Sequence, residues 1–130
     1  MESNPYSNII RIPVNNENIY KYWLLFLKPY HNLTNTELEV AAAFLKKRME
    51  LFEKIQDEDI VDQLLFSLKT RKDILENLKM KKSHFYVILT KLKKNKIIID
   101  KSFNKKLIPN IHKGTIKLLL SFSNEDYEEK

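Results

Sequence analysis

The sequence predicts a mainly α chain with a small β portion, an α+β protein built as one domain. Three observations carry this. Apolar residues recur at three- and four-residue spacing in successive stretches between Tyr20 and Leu92. The β-branched run Ile97 to Ile99 follows the last of these stretches and leads into a turn-like DKSFN. Glycine occurs once, at Gly114, and cysteine not at all. That excludes disulfides and thiolate metal sites and argues against glycine loops that cradle phosphates. The expected organisation is an arm over residues 1–17, a domain over 18–122 and an acidic tail over 123–130.

In the arm, Met1 to Ser7 looks flexible. Ile10, Ile12 and Val14 then alternate with Ile9, Arg11 and Pro13, a short strand pattern. Pro13 cannot donate a ladder hydrogen bond, so the strand belongs at an edge or pairs with another subunit. Residues 18–30 form the most aromatic stretch. Tyr20, Trp23, Leu24 and Leu27 share one helical face, while Tyr22, Leu25 and Phe26 lie elsewhere. A helix apolar on several sides is buried from several directions or faces a partner. Ile10, Ile12, Tyr20 and Trp23 are therefore candidate interface residues. This helix should stop before Pro29.

The strongest local start signal is TNTE at Thr34 to Glu37, a capping box in which each side chain satisfies the other's orphan backbone N–H. Leu33 and Leu38 flank it as a hydrophobic staple. A helix over 34–55 follows, with Leu38, Ala41, Ala42, Leu45, Met49 and Phe52 as its core stripe and Lys46, Lys47 and Arg48 on the other side. Asp57, Glu58 and Asp59 suit the N-terminus of the next helix, over 57–68, where the helix dipole favours negative charge. Its apolar face is Val61, Leu64, Leu65 and Leu68. Thr70 is the expected cap of the helix after it.

The stretch from Thr70 to Ile98 organises the chain. Ile74, Leu75 and Leu78 mark one short helix. Phe85, Ile88, Leu89 and Leu92 mark another at i, i+3, i+4 and i+7. Lys79 to Lys81 leave room only for a sharp turn, and Asn95 can end the second helix in a left-handed conformation. Ile97 to Ile99 should form a strand, Asp100 to Asn104 a turn, and Leu107 to Ile111 a return strand at an edge because of Pro109. Thr115 to Phe122 reads as a third strand or a helix. This order resembles a winged helix-turn-helix over Thr70 to Ile111, with an extra N-terminal helix and arm. The resemblance lies in the pattern; lysine stands at Lys79, where such turns often carry glycine.

The resemblance implies DNA binding, and charge points the same way. The chain carries +6, its last eight residues carry −3, and the remainder therefore carries +9. Ten lysines against one acid, Asp100, fall between Lys79 and Lys106. A lysine-rich coding bias would spread them evenly; clustering suits a phosphate-binding face. With the apolar stripe of residues 83–94 turned inward, Ser83, Tyr86, Val87 and Thr90 face outward as base-facing candidates. Lys82, Lys91, Lys93, Lys94, Lys101, Lys105 and Lys106 are the phosphate candidates.

No nucleophile–base arrangement or metal-ligand spacing appears, and His31, His84 and His112 are scattered. No catalytic role, cofactor, metal or small-molecule substrate is expected. No run is long and apolar enough to span a membrane. The partner expected is double-stranded DNA, with a small regulator in a bacterial host's cytoplasm as the setting. The alternative is a structural or adaptor subunit of a larger assembly, for example a phage virion neck or connector ring protein that self-associates. The aromatic helix and the arm strand favour that second reading.

Overall fold

A computed structural model describes residues 10–111 and 116. It is mainly helical, 65% by residue, with one small antiparallel two-stranded sheet. In order the elements are α1 (Ile19–Phe26), α2 (Lys28–His31), α3 (Asn35–Ile55), α4 (Glu58–Leu65), α5 (Leu68–Asn77), α6 (Lys82–Lys94), β1 (Ile98–Ile99), β2 (Ser102–Phe103) and a 3₁₀ turn, Lys105–Leu107.

The 21-residue α3 is the axis of the fold, in contact with α1, α4, α5 and α6. Its start is the expected capping box. The Glu37 N–H donates to the Thr34 hydroxyl at 3.3 Å, and the Thr34 N–H donates to Glu37 Oε1 at 3.1 Å. Leu33 and Leu38 of the staple are both buried. Val40, Ala41, Phe44 and Leu45 carry the core contacts. Phe44 stacks on Phe66 at 5.5 Å and on Phe85 at 6.2 Å, tying α3 to α6 and to the end of α4. Arg48, expected on the solvent side, is instead buried. It lies 3.6 Å from Glu58 and 3.9 Å from Asp62 of α4, with its guanidinium over the Phe52 ring. Burial without two carboxylates beside it would leave an uncompensated charge.

The aromatic stretch breaks at Leu27. Pro29 sits in the first turn of α2, where a missing N–H is tolerated. Tyr20 and Leu24 are buried, and Trp23 and Leu27 are half-buried against the core. The Trp23 indole donates to the Leu107 carbonyl at 2.7 Å. Tyr20 and Trp23 are thus spent on the chain's own core. The exposed large apolar and aromatic residues of α1 and α2 are Tyr22, Leu25, Phe26 and Tyr30. His31 closes this corner: the Leu33 N–H donates to Nδ1 at 3.0 Å, which puts the proton on Nε2, 2.7 Å from the Leu24 carbonyl. Residues Ile10 to Val14 form no strand and are exposed.

Asp57 caps α4 through the Asp59 and Ile60 N–H groups, at 3.0 and 3.2 Å. Only Val61 and Leu65 of the expected apolar face are buried; Leu64 and Leu68 are exposed, because α4 ends at Leu65 and the chain resets at Phe66 and Ser67. Ser67, not Thr70, is the cap of α5. Thr70 lies within that helix, buried, its hydroxyl donating to the Leu64 carbonyl at 2.7 Å. The short Ser67 side chain accepts the Thr70 N–H and so starts α5 three residues earlier than expected.

Both α5 and α6 end in the same left-handed closure. After α5, the Lys79 N–H donates to Glu76 and the Met80 N–H to Leu75. After α6, the Lys96 N–H donates to Lys93 and the Ile97 N–H to Leu92. This double bond pattern is the Schellman closure. Its left-handed residues are Lys79, with φ 53°, and Lys96, with φ 61°. Asn95, expected to take that conformation, has φ −87°. The motif seats Ile97 against Leu92, both buried, so placing Ile97 inside decides which residue turns back.

The hairpin is minimal. Ile98 pairs with Phe103 and Ile99 with Ser102 across Asp100 and Lys101, whose φ values are 50° and 63°. Two consecutive positive φ values make the tight turn that matches strand twist. The expected return strand over Leu107 to Ile111 is absent. Asn104 Oδ1 accepts the Lys106 N–H and starts the 3₁₀ turn, which drops Leu107 into the core beside Trp23. Apart from Ile116, which is in no strand, the expected element over Thr115 to Phe122 and the acidic tail lie outside the described residues.

Candidate nucleic-acid interface

Helix α6 has two unlike sides. Phe85, Ile88, Leu89 and Leu92 are buried, as their spacing requires. Ser83, Val87, Thr90 and Lys94 recur at i, i+4, i+7 and i+11 and are all exposed, with Val87 at 55%. The last turn holds Lys91, Lys93 and Lys94, where the helix dipole favours cations. The Thr90 hydroxyl donates to the Tyr86 carbonyl at 3.0 Å, so toward a ligand it offers acceptor lone pairs.

Tyr86 departs from its expected role. It is half-buried, edge-on to Phe85 at 5.6 Å, and Arg71 of α5 lies over its ring at 5.7 Å. It is a platform between α5 and α6 and not a free outward side chain. Arg71 is a residue the sequence reading missed; nothing in its spacing from Tyr86 marks the pair.

The seven candidate lysines separate into two groups. Lys91 is 3.1 Å from Glu37 and Lys105 is 3.3 Å from Glu58, so each already faces a carboxylate. Lys82, Lys93, Lys94, Lys101 and Lys106 are exposed and make no ion pair among the described residues. Lys93 and Lys101, with the additional Lys96, line an open hollow over Ile98, Ile99 and Asp100. The hairpin thus brings Lys101 to the C-terminal end of α6. A second hollow, between α1, α3 and α5, is lined by charges of both signs. Lys21 and Lys46 there are paired with Glu39 and Glu17.

Two carboxyls near these faces are shifted. Burial raises the Glu37 pKa, but the Thr34 backbone N–H and Lys91 more than offset it, and the net shift is downward. For Asp62, burial outweighs the nearby Arg48 and the net shift is upward. Among the described residues no group of three His, Cys, Asp or Glu side chains could hold a metal. No described helix is long and apolar enough to cross a membrane. Compared with known proteins, the chain matches no family model, no curated protein and no solved structure.

Proposed function

We propose that this is a non-enzymatic DNA-binding protein of winged-helix type, in which α5 and α6 are the helix-turn-helix and the hairpin is a reduced wing. The observation that carries the reading is the exposed stripe Ser83, Val87, Thr90 and Lys94 on α6. It offers hydroxyls, a methyl-bearing surface and a cation, the groups that read base edges and hold phosphates in a major groove. No acid interrupts the chain between Lys79 and Ile99. Lys82, Lys93, Lys94, Lys101 and Lys106 supply the phosphate contacts. A small regulator in a bacterial cytoplasm fits this chemistry.

The test is binding to a pool of duplexes at several salt concentrations. Phosphate-led binding gives a linear fall of log affinity with log salt. No binding near ~50 mM salt, where phosphate attraction is strong, would overturn the reading.

A second reading rests on a separate surface. Tyr22, Leu25, Phe26 and Tyr30 expose aromatic and aliphatic area on α1 and α2, and Ile10, Ile12 and Val14 do so on the arm. These suit an adaptor or virion subunit that associates through its N-terminal region. Sedimentation without DNA decides it: a closed ring supports the adaptor, a monomer removes it.

A further inference from the structure

We propose that Arg71, whose guanidinium lies over the Tyr86 ring, is a phosphate-holding side chain that extends the interface from α6 onto α5. The inference rests on the DNA-binding reading and names a contact beyond the lysines. Tyr86 lies three residues after Ser83, four after Lys82 and four before Thr90. It therefore sits beside the outward stripe of α6, and the guanidinium 5.7 Å above its ring borders that stripe.

The state of the Arg71 charge sets it apart. The buried Arg48 faces two carboxylates, Glu58 and Asp62. Arg71 makes no ion pair among the described residues; its Nε, like that of Arg48, is buried with no hydrogen-bond partner. A guanidinium stays charged at any physiological pH and presents donors in a rigid planar fork. With Nε turned inward, the Nη groups are the donors left for an outside acceptor. The cation–π contact with Tyr86 restrains the guanidinium, so less side-chain freedom is lost when it closes on a phosphate. Lysine on a flexible stem has no such preorganisation.

The experiment has two arms. In the first, duplex affinity is measured against salt for the intact chain and four variants. Arg71→Gln should flatten the log–log slope by about 0.9, the loss of one phosphate contact. Tyr86→Leu should flatten it equally although it removes no charge. Tyr86→Phe, which keeps the ring, should retain the slope, whereas Arg71→Lys, which keeps the charge but loses the preorganised fork, should fall between the intact chain and Arg71→Gln. In the second arm, inorganic phosphate is titrated into the unmodified protein and into Tyr86→Leu, and the Arg71 Nε–Hε NMR cross-peak is followed. A saturable shift is expected in the unmodified protein and none in Tyr86→Leu. An unchanged slope in a folded Arg71→Gln protein would overturn the proposal, whatever free phosphate does. If the unmodified protein binds no duplex, the DNA reading falls. The phosphate titration then decides Arg71 alone: no shift overturns the anion site, and a saturable one supports it. That titration needs no variant to fold.

Discussion

The Trp23 indole N–H donates to the Leu107 carbonyl at 2.7 Å, across 84 residues of chain. This bond fastens the N-terminal helix to the segment after the hairpin and fixes α1 as part of its own core. Trp23→Phe keeps an aromatic ring, though a smaller one, and removes the donor. It should lower stability by about 1–2 kcal/mol, because the carbonyl is left without its partner in a half-buried site. Urea unfolding measures this. The sedimentation mass should stay the same, since Trp23 packs on the chain's own core; a changed mass would contradict that place.

The capping box gives a second expectation. Thr34→Ala removes the acceptor for the Glu37 N–H and should cost about 1 kcal/mol. An unchanged urea midpoint would contradict the geometry at this helix start.

Glu37 also couples stability to pH. Its folded-state pKa lies below the ordinary value of 4.5, with the Thr34 N–H and Lys91 overcoming the effect of burial. The stabilisation is therefore complete above that ordinary value and is lost as pH falls through the lower folded-state value. Stability of the intact protein should drop on acidification below about pH 5. Glu37→Gln should show a shallower drop over the same range, and Lys91→Ala a partial one. Parallel urea curves from pH 3 to 7 make the comparison. Identical slopes for the intact protein and Glu37→Gln would show that the group does not titrate with folding.

Lysine in a left-handed conformation carries a steric cost of roughly 1–2 kcal/mol that glycine lacks. Lys79 and Lys96 close α5 and α6 in that conformation. Lys96→Gly should therefore raise stability by about 1 kcal/mol, offset in part by the greater freedom of glycine in the unfolded chain. Lys79→Gly should behave alike. A loss of stability at both positions would contradict the left-handed conformation of these two lysines.

The lysines should differ in their effect on DNA affinity. Lys94→Ala and Lys101→Ala should each weaken binding to all sequences alike and flatten the salt slope by about 0.9. Lys105→Ala should do less, because its ammonium already faces Glu58 at 3.3 Å. Ser83→Ala and Thr90→Val should alter the preference among duplexes more than the slope, since base contacts supply discrimination. Equal effects from all these changes would argue against a division into phosphate and base contacts.

Much was legible in the residues themselves. Thr34 and Glu37 start α3 by bonds within four residues, so no distant contact was needed to see them. Phe85, Ile88, Leu89 and Leu92 marked the buried side of α6 because helical spacing alone puts them together; of the outward face read from the same spacing, Ser83, Val87, Thr90 and Lys94 are exposed and Tyr86 is half-buried. Other features were settled by competition among neighbours. Thr70 was the expected cap of α5; its burial against the Leu64 carbonyl leaves that role to Ser67. Asn95 is the better left-handed residue by itself, yet Lys96 adopts that conformation because Ile97 must pack on Leu92. Arg48 reads as solvent-facing until α4 brings Glu58 and Asp62 to it. The same holds for Trp23 with Leu107 and for Arg71 with Tyr86. Periodicity and capping act within one or two turns and can be read along the chain. Pairings across elements depend on which surfaces the folded core presses together, and only the tertiary structure decides them.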